Sequence, residues 1–332
     1  MRVIAEFSGE TVPFSSACHP FLEGRSKRIL ADFVSSTDGT GIVHIAPGHG
    51  EEDYQFGHLK YGLPILSPVD QRGRFTQDFG PCKGMNVFKA DGAILSLLEE
   101  KKTLVGRHEY RHSYPHCWRC KHPIIFRATP QWFLKVDHGG LRRVMLEKIQ
   151  GEVRFTPEWG KNRIGSMVET RPDWCLSRQR YWGVPLPVVF CKSCGKFFGR
   201  ESKPVPAGEI EQMRLKILEI FSREGADAWF ERPARDFLPE SYRCVCGSGD
   251  FERESDIIDV WFDSGVSHQA VLKKNQERLS YPADLYLEGS DQHRGWFQSA
   301  LTTGMALDGQ APFRGVLTHG FVVDGEGKKM SK

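Results

Sequence analysis

Cysteine is the residue type whose spacing speaks most directly of chemistry in this sequence. Six of the nine cysteines fall in tight pairs: Cys117-x-x-Cys120, Cys191-x-x-Cys194 and Cys244-x-Cys246. The odd total, with no positively charged, then apolar, N-terminal leader, argues against a disulfide framework. Such pairs in a cytosolic chain read as metal ligands or redox sites, the plainer alternative being buried, unligated thiols. Cys191, Cys194, Cys244 and Cys246 can supply four thiolates to one tetrahedral zinc. Each of these two pairs is followed by glycine (CKSCG and CVCG), which lets the backbone turn both sulfurs toward one ion. Cys117 and Cys120 make only a half-site. Cys18, His19, His112, His116 and His122 do not complete it at a convincing spacing.

Charge and aromatic residues point to a second chemistry. Residues 325–332, GEGKKMSK, place lysines around a glycine-rich turn and can offer ammonium groups and amides to a polyphosphate. A solvated lysine face is the bland alternative. Glu288 and Asp291 fall where YLEGSDQHRGW passes from an expected strand to an expected helix, the usual ligand edge of an α/β sheet. Taken alone, Glu288 also reads as a strand-end surface acid, Trp296 as core packing, Asp53 as a first-turn helix acid and His44 as a strand histidine.

The elements that must hold these residues are legible in outline. TGIVHIAPGHG reads as a short β-branched strand entering a Gly/Pro loop, and EEDYQFGHLKYG as a helix with acids in its first turn. AILSLLEEKK, RRVMLEKI and GEIEQMRLKILEIFSREGAD have helical periodicity. From residue 256 the pattern becomes α/β. DIIDVWFDSG reads as strand and loop, ADLYLEGSDQHRGW as strand into helix, and RGVLTHGFVVDGEGKKMSK as strand, hairpin-like turn and basic end. Residues 195–210 read as a surface loop. The length of 332 residues suggests about two domains, with ample chain to bury a core. With 39% hydrophobic and 26% charged residues and a mean hydropathy of −0.42, the chain is neither collagen, coiled coil nor wholly disordered, and it has no apolar run near ~20 residues to cross a membrane. A net charge of +3 neither demonstrates nor excludes a nucleic-acid partner.

These motifs together resemble one family. THGFVVDGEGKKMSK is similar to the nucleotide-triphosphate loop of class I aminoacyl-tRNA synthetases. RATPQWF (127–133), RPDWCLSRQRYWGVPLP (171–187), DVWFDSG (259–265) and YLEGSDQHRGWF (286–297) resemble the isoleucyl-tRNA synthetases. GTGIVHIAPGHGEEDY (39–54) resembles the end of that family's editing domain. The resemblance covers residues 39–332. It implies an α/β fold: the C-terminal half of a Rossmann catalytic domain, with part of an inserted, mostly-β editing domain and zinc-binding segments. Residues 1–110 would be the C-terminal part of the editing domain and 111–255 a connective, zinc-binding region. Residues 256–332 would be the second Rossmann half.

The resemblance also implies roles. Glu288, with Gly289 and Asp291 beside it, would contact the aminoacyl adenylate, while Gln292 and His293 line that site. Trp261 and Trp296 would wall the amino-acid pocket. Lys332 would contact the ATP phosphates, supported by Lys329, with Mg2+ as companion. One methylene in an apolar pocket is worth only ~1–3 kcal/mol, a limit already established for isoleucine against valine in this enzyme class. A second, hydrolytic pocket therefore follows, where Asp53 would hold the α-amino group of a misattached amino acid and His44 would line the wall. The arginines and aromatics of residues 112–133 and of SRQRYWG would meet the acceptor stem of tRNA(Ile), or else belong to a packed core with exposed cations.

The family's His-x-Gly-His motif is not matched, since PGHG and THGF have other spacings. The threonine-rich part of the editing pocket, the anticodon-binding helices and the partner of Cys117/Cys120 are not found either. The expectation is an internal part of a longer, cytoplasmic, monomeric enzyme, inactive in aminoacylation by itself. Valyl- or leucyl-tRNA synthetase, a stand-alone editing hydrolase and a non-catalytic zinc-dependent tRNA-binding module are the alternatives.

Overall fold

Leu141, Met145 and Ile149 recur at helical spacing, and they are the buried face of the helix Leu141–Gly151. The strand Arg154–Thr156 follows, burying only its central Phe155. Next comes the helix Trp159–Glu169, which buries Gly160, Ile164, Gly165 and Val168. This computed structural model describes residues 7–12, 14–35, 40–198 and 207–330. The chain divides into two compact units, Met1–Pro130 and Gln131–Lys332.

The second unit is organised around a three-stranded parallel sheet. Gly315–His319 lies in the middle, between Tyr286–Gly289 and Arg154–Thr156. The register sets Tyr286 beside Val316, Glu288 beside Thr318 and Phe155 beside Val316. Parallel strands need long crossovers. One is the helix Trp296–Asp308, which ends at Gly309 in the left-handed conformation (φ 64°). That helix is buried on nearly every side. Phe297, Ala300 and Leu301 join Val136, Met145, Ile149, Ile164 and Val316 in one core. The strand-into-helix and strand-plus-hairpin expectations for residues 283–330 hold. The strand Arg154–Thr156 is an addition that no sequence pattern announced.

A second core lies beside the cysteine pairs. The helix Ala207–Glu224 buries Met213 and Ile217 against Val189, Trp229, Phe237 and Leu238. The antiparallel strands Val189–Cys191 and Phe251–Arg253 run alongside. Of the surface loop expected over 195–210, residues 199–206 lie outside the described residues and 207–210 instead open the helix Ala207–Glu224.

DVWFDSG departs from expectation. Ile257–Ile258 is a strand, but Val260–Gly265 is a helix rather than a loop. Asp259 provides the reason, since its carboxylate accepts the Trp261 amide and caps the first turn.

In the first unit, Glu51–Asp53 runs into a π-helical stretch, Tyr54–Lys60, and Asp91–Glu100 is helical, both as expected. The mostly-β character expected of residues 1–110 is not realised. Among the described residues, strands there are limited to the hairpin Ser16–Cys18 with Arg25–Lys27. The β-branched run at 42–45 forms no strand: no segment among the described residues pairs with it, and an unpaired strand is marginal in water. Among the described residues no helix is long and apolar enough to cross a membrane.

Candidate adenylate-forming site and cysteine centre

Parallel pairing puts the C-terminal ends of all three strands on one edge, and the residues expected to meet the adenylate, Glu288 to His293, lie where Tyr286–Gly289 ends. Glu288 is exposed there, beside Thr318. Gly289 ends the strand. A Cβ at that position would lie 2.9 Å from Asp291 Oδ1, so glycine lets Asp291 fold back over the strand end. The turn Ser290–His293 then delivers the chain into the helix Trp296–Asp308.

Gln292 and His293 both act on this turn. Gln292 Oε1 accepts the Trp296 amide (3.0 Å), satisfying one open N–H at the helix start. His293 is wholly buried. Its Nδ1 is bonded to the Ser290 carbonyl (3.0 Å), and its Nε2 lies 3.5 Å from Thr318 Oγ1. The ring meets Phe297 edge-on at 5.5 Å. Burial holds its pKa below the ordinary histidine value, which favours the neutral ring. A Cβ at Gly160 would stand 3.1 Å from His293 Nε2, so the small residue makes room for the ring.

Trp261 covers Gly295 with its ring, while Trp296, next in the chain, turns its ring to Tyr286. Trp296 stacks on Tyr286 (4.0 Å, 13°) and donates Nε1–H to Ser264 O (3.0 Å) and Ser267 Oγ (3.2 Å). Trp261 is 42% exposed. Its ring covers Gly295 so closely that a Cβ there would come within 2.8 Å of it.

Asp259 aims Trp261, a role that the sequence reading did not give it. It is 5% exposed and spends both oxygens. Oδ1 accepts the Trp261 amide (3.2 Å), while Oδ2 accepts Trp174 Nε1–H (2.9 Å) and Arg178 Nη2–H (2.7 Å). A buried carboxylate persists only when paired and hydrogen-bonded in this way. Burial, helped by the neighbouring Asp259 charge, raises the pKa of Asp263. Gln131 ties RATPQWF to SRQRYWG, its Oε1 accepting from Ser177 Oγ (2.7 Å) and Gln179 Nε2 (3.2 Å). An acid set just ahead of an apolar helical turn was the available signal for Asp259.

The lysine segment is a hairpin turn. Asp324 Oδ1 accepts the amides of Glu326 and Lys328 (both 2.9 Å), Gly327 takes φ 78°, and Met330 N–H reaches Val322 O (2.9 Å). Lys329 Nζ stands 3.5 Å over the Phe321 ring. Lys332 lies outside the described residues.

In the first unit, Asp53 Oδ2 accepts the Ala46 amide (3.1 Å) and draws the segment after His44 onto the helix start. His44 is exposed and near enough to His19 to help lower that residue's pKa, after burial.

The cysteines expected to share one ion do come together. Cys191 Sγ lies 3.6 Å from Cys246 Sγ, Cys194 Sγ 3.5 Å from Cys244 Sγ, and all four sulfurs are within 4.8 Å of one another. A tetrahedral zinc with Zn–S of about 2.3 Å has sulfur–sulfur edges of about 3.8 Å, so the set fits such an ion. Gly195 (φ 69°) and Gly247 (φ 85°) adopt the left-handed backbone that each knuckle requires. Against the opposing effect of burial, the amides of Cys194 and Ser193 bring the Cys191 thiol down to about 6. Burial pushes Cys244 up to about 12. Cys117 and Cys120 form a similar turn, with Lys121 at φ 61° and its N–H on Cys117 O (2.8 Å). The Cys120 amide foremost lowers the Cys117 pKa.

Comparison with known proteins identifies the family. The family model for class I tRNA synthetases (I, L, M and V) matches residues 18–332. An isoleucine–tRNA ligase of Desulfotalea psychrophila is 52% identical over 326 residues, covering 98% of this chain and 33% of the relative. One from Thermotoga maritima is 50% identical over 333 residues, covering 100% of this chain and 35% of its own. One from Desulfitobacterium hafniense is 52% identical over 334 residues, covering 100% and 34%. The chain thus spans about a third of the length of the curated relatives it matches. With a parallel sheet edge carrying Glu288, the Trp261 ring over Gly295 and a family match over nearly all its length, this chain belongs to the class I tRNA synthetases of the I, L, M and V group.

Proposed function

We propose that this chain is part of an isoleucine–tRNA ligase, which activates isoleucine with ATP and transfers it to tRNA(Ile). The observations that support the reading are Glu288 and Asp291 at the C-terminal end of a parallel strand and the Trp261 ring over Gly295, where the chain enters the following helix. Adenylate formation needs a carboxylate for the substrate ammonium, an apolar wall for its side chain and positive charge on the triphosphate. Glu288 contacts the aminoacyl adenylate at the strand end, with Gly289 and Asp291 beside it. Trp261 and Trp296 wall the side-chain pocket, and Gln292 and His293 fix the turn that holds it. Lys329 and Lys332 meet the ATP phosphates, whose charge Mg2+ shares. Asp53 and His44 serve hydrolysis of a misattached valine by water. Zinc, held by Cys191, Cys194, Cys244 and Cys246, supplies a crosslink between two knuckles. The enzyme works in the cytoplasm, as a monomer. Residues 1–110, 111–255 and 256–332 serve editing, connection and catalysis.

ATP–pyrophosphate exchange on the native polypeptide that carries this sequence tests the reading. Exchange should depend on isoleucine. Exchange driven by valine or leucine at equal efficiency would move the assignment to the sister enzymes. No exchange with any of the four amino acids of the group would overturn it.

A further inference from the structure

The lysine hairpin treats its two adjacent lysines differently. It leaves the sheet at the ligand edge, since Phe321 lies just beyond the end of the central strand Gly315–His319. Val323 pairs with Lys329 across the hairpin, and Met330 N–H reaches Val322 O (2.9 Å). Directly opposed residues share a face, as do residues two apart along one strand. Phe321, Val323 and Lys329 therefore lie on one face of the hairpin, and Lys328 on the other.

Lys328 Nζ pairs with Glu326 (2.8 Å), so its charge is partnered within the turn. Lys329 Nζ stands 3.5 Å from the centre of the Phe321 ring instead, and among the described residues it has no ion-pair partner. The acids of the turn are committed elsewhere. Asp324 Oδ1 accepts the amides of Glu326 and Lys328, and Glu326 holds Lys328. Phe321 is 41% exposed and belongs to neither core, so packing does not account for its ring.

A carboxylate and a ring hold an ammonium with opposite consequences. A carboxylate orients the cation but neutralises it, and an incoming polyphosphate has to displace it. An aromatic face attracts the cation through its quadrupole and carries no net charge. The ring thus restrains a long, flexible side chain while leaving its positive charge for an anion. Restraint before binding removes part of the ordering cost of binding.

We propose that Phe321 is a positioning residue for the triphosphate: its ring fixes Lys329 beside the ligand edge of the sheet with its charge unspent. The assignment rests on the proposed function for its ligand, ATP.

Lysine acylation by an amine-reactive succinimidyl ester, read residue by residue by mass spectrometry on the native polypeptide that carries this sequence, tests the role. MgATP should shield Lys329. The MgATP concentration that half-shields it should rise about two- to fivefold in Phe321→Leu, the factor that an exposed cation–π contact is worth. Phe321→Tyr, which keeps the π-face, should restore the original value. In isoleucine-dependent exchange, kcat/KM for ATP should fall by the same factor in Phe321→Leu while KM for isoleucine stays fixed, a split that a general loss of packing does not give. Failure of MgATP to shield Lys329, equal half-shielding in Phe321→Leu, a tyrosine variant as weak as the leucine one, or a matching rise in KM for isoleucine would overturn the role. Ring-dependent shielding in a polypeptide that shows no exchange with any amino acid of the group would leave the role of Phe321 standing and count against the ligase reading instead.

Discussion

Asp259 holds three donors with one side chain: the Trp261 amide, the Trp174 indole and the Arg178 guanidinium. The carboxylate therefore fixes a helix start and an aromatic wall together. At this scale the sequence was most informative where chemistry demands a fixed residue type. The four sulfurs of Cys191, Cys194, Cys244 and Cys246 lie within 4.8 Å of one another, as their spacing suggested. We expect about one zinc per chain, measured by elemental analysis after dialysis. Cys244→Ser should lose that zinc, while Cys117→Ser should keep it, because the second pair offers only two thiolates. Retention of zinc by Cys244→Ser would place the metal elsewhere. Asp259 itself went unread because its role depends on Trp174 and Arg178, more than 80 positions away.

Helices and strands were legible where their own periodicity pays for them, as in Leu141–Gly151 and Ala207–Glu224. They were misread where one contact reversed the local preference. Val260–Gly265 is helical through its Asp259 cap, and the β-branched run at 42–45 finds no strand partner among the described residues. The contact between Val260–Gly265 and Trp296–Asp308 is tight at both ends. A Cβ at Gly265 would meet Ser299 O at 3.0 Å, and one at Gly295 would meet Trp261 at 2.8 Å and overlap Gln292 Oε1. Thr303 Oγ1 adds a hydrogen bond to Gly265 O (2.7 Å). Gly295→Ala is therefore expected to cost about 1–3 kcal/mol, the usual range for overpacking. Its urea midpoint should fall, and Trp261 fluorescence should shift as the ring is displaced. An unchanged midpoint would mean that the contact is looser than the distances imply.

Across the whole molecule, two wholly buried histidines link stability to pH. Burial foremost holds both His268 and His293 below the ordinary value of ~6.5. The unfolded chain takes up these protons near pH 6.5, whereas the folded chain takes them up only at lower pH. In that window the unfolded state binds more protons, so stability rises with pH and is lost as pH falls below about 6.5. The urea midpoint of the metal-free chain should fall between pH 7.5 and pH 5.5. His268→Gln should reduce that drop, whatever it does to the midpoint itself. A drop of equal size in the variant would place the pH dependence in other groups.

The sequence by itself determined the residue types that chemistry cannot exchange. These are the paired cysteines with their glycines, the lysine-bearing turn, and the acids expected at a strand end. It also determined the helices whose apolar period is complete within one segment. Only the tertiary structure decided that Arg154–Thr156 completes the parallel sheet, that Asp259 caps and aims Trp261, and that Gly295 seats the ring. The physical reason is range. A turn, a knuckle or an amphipathic face is settled by neighbours within a few positions. A strand's partner, a buried carboxylate's donors and the clearance above a glycine are set by segments far away in the chain.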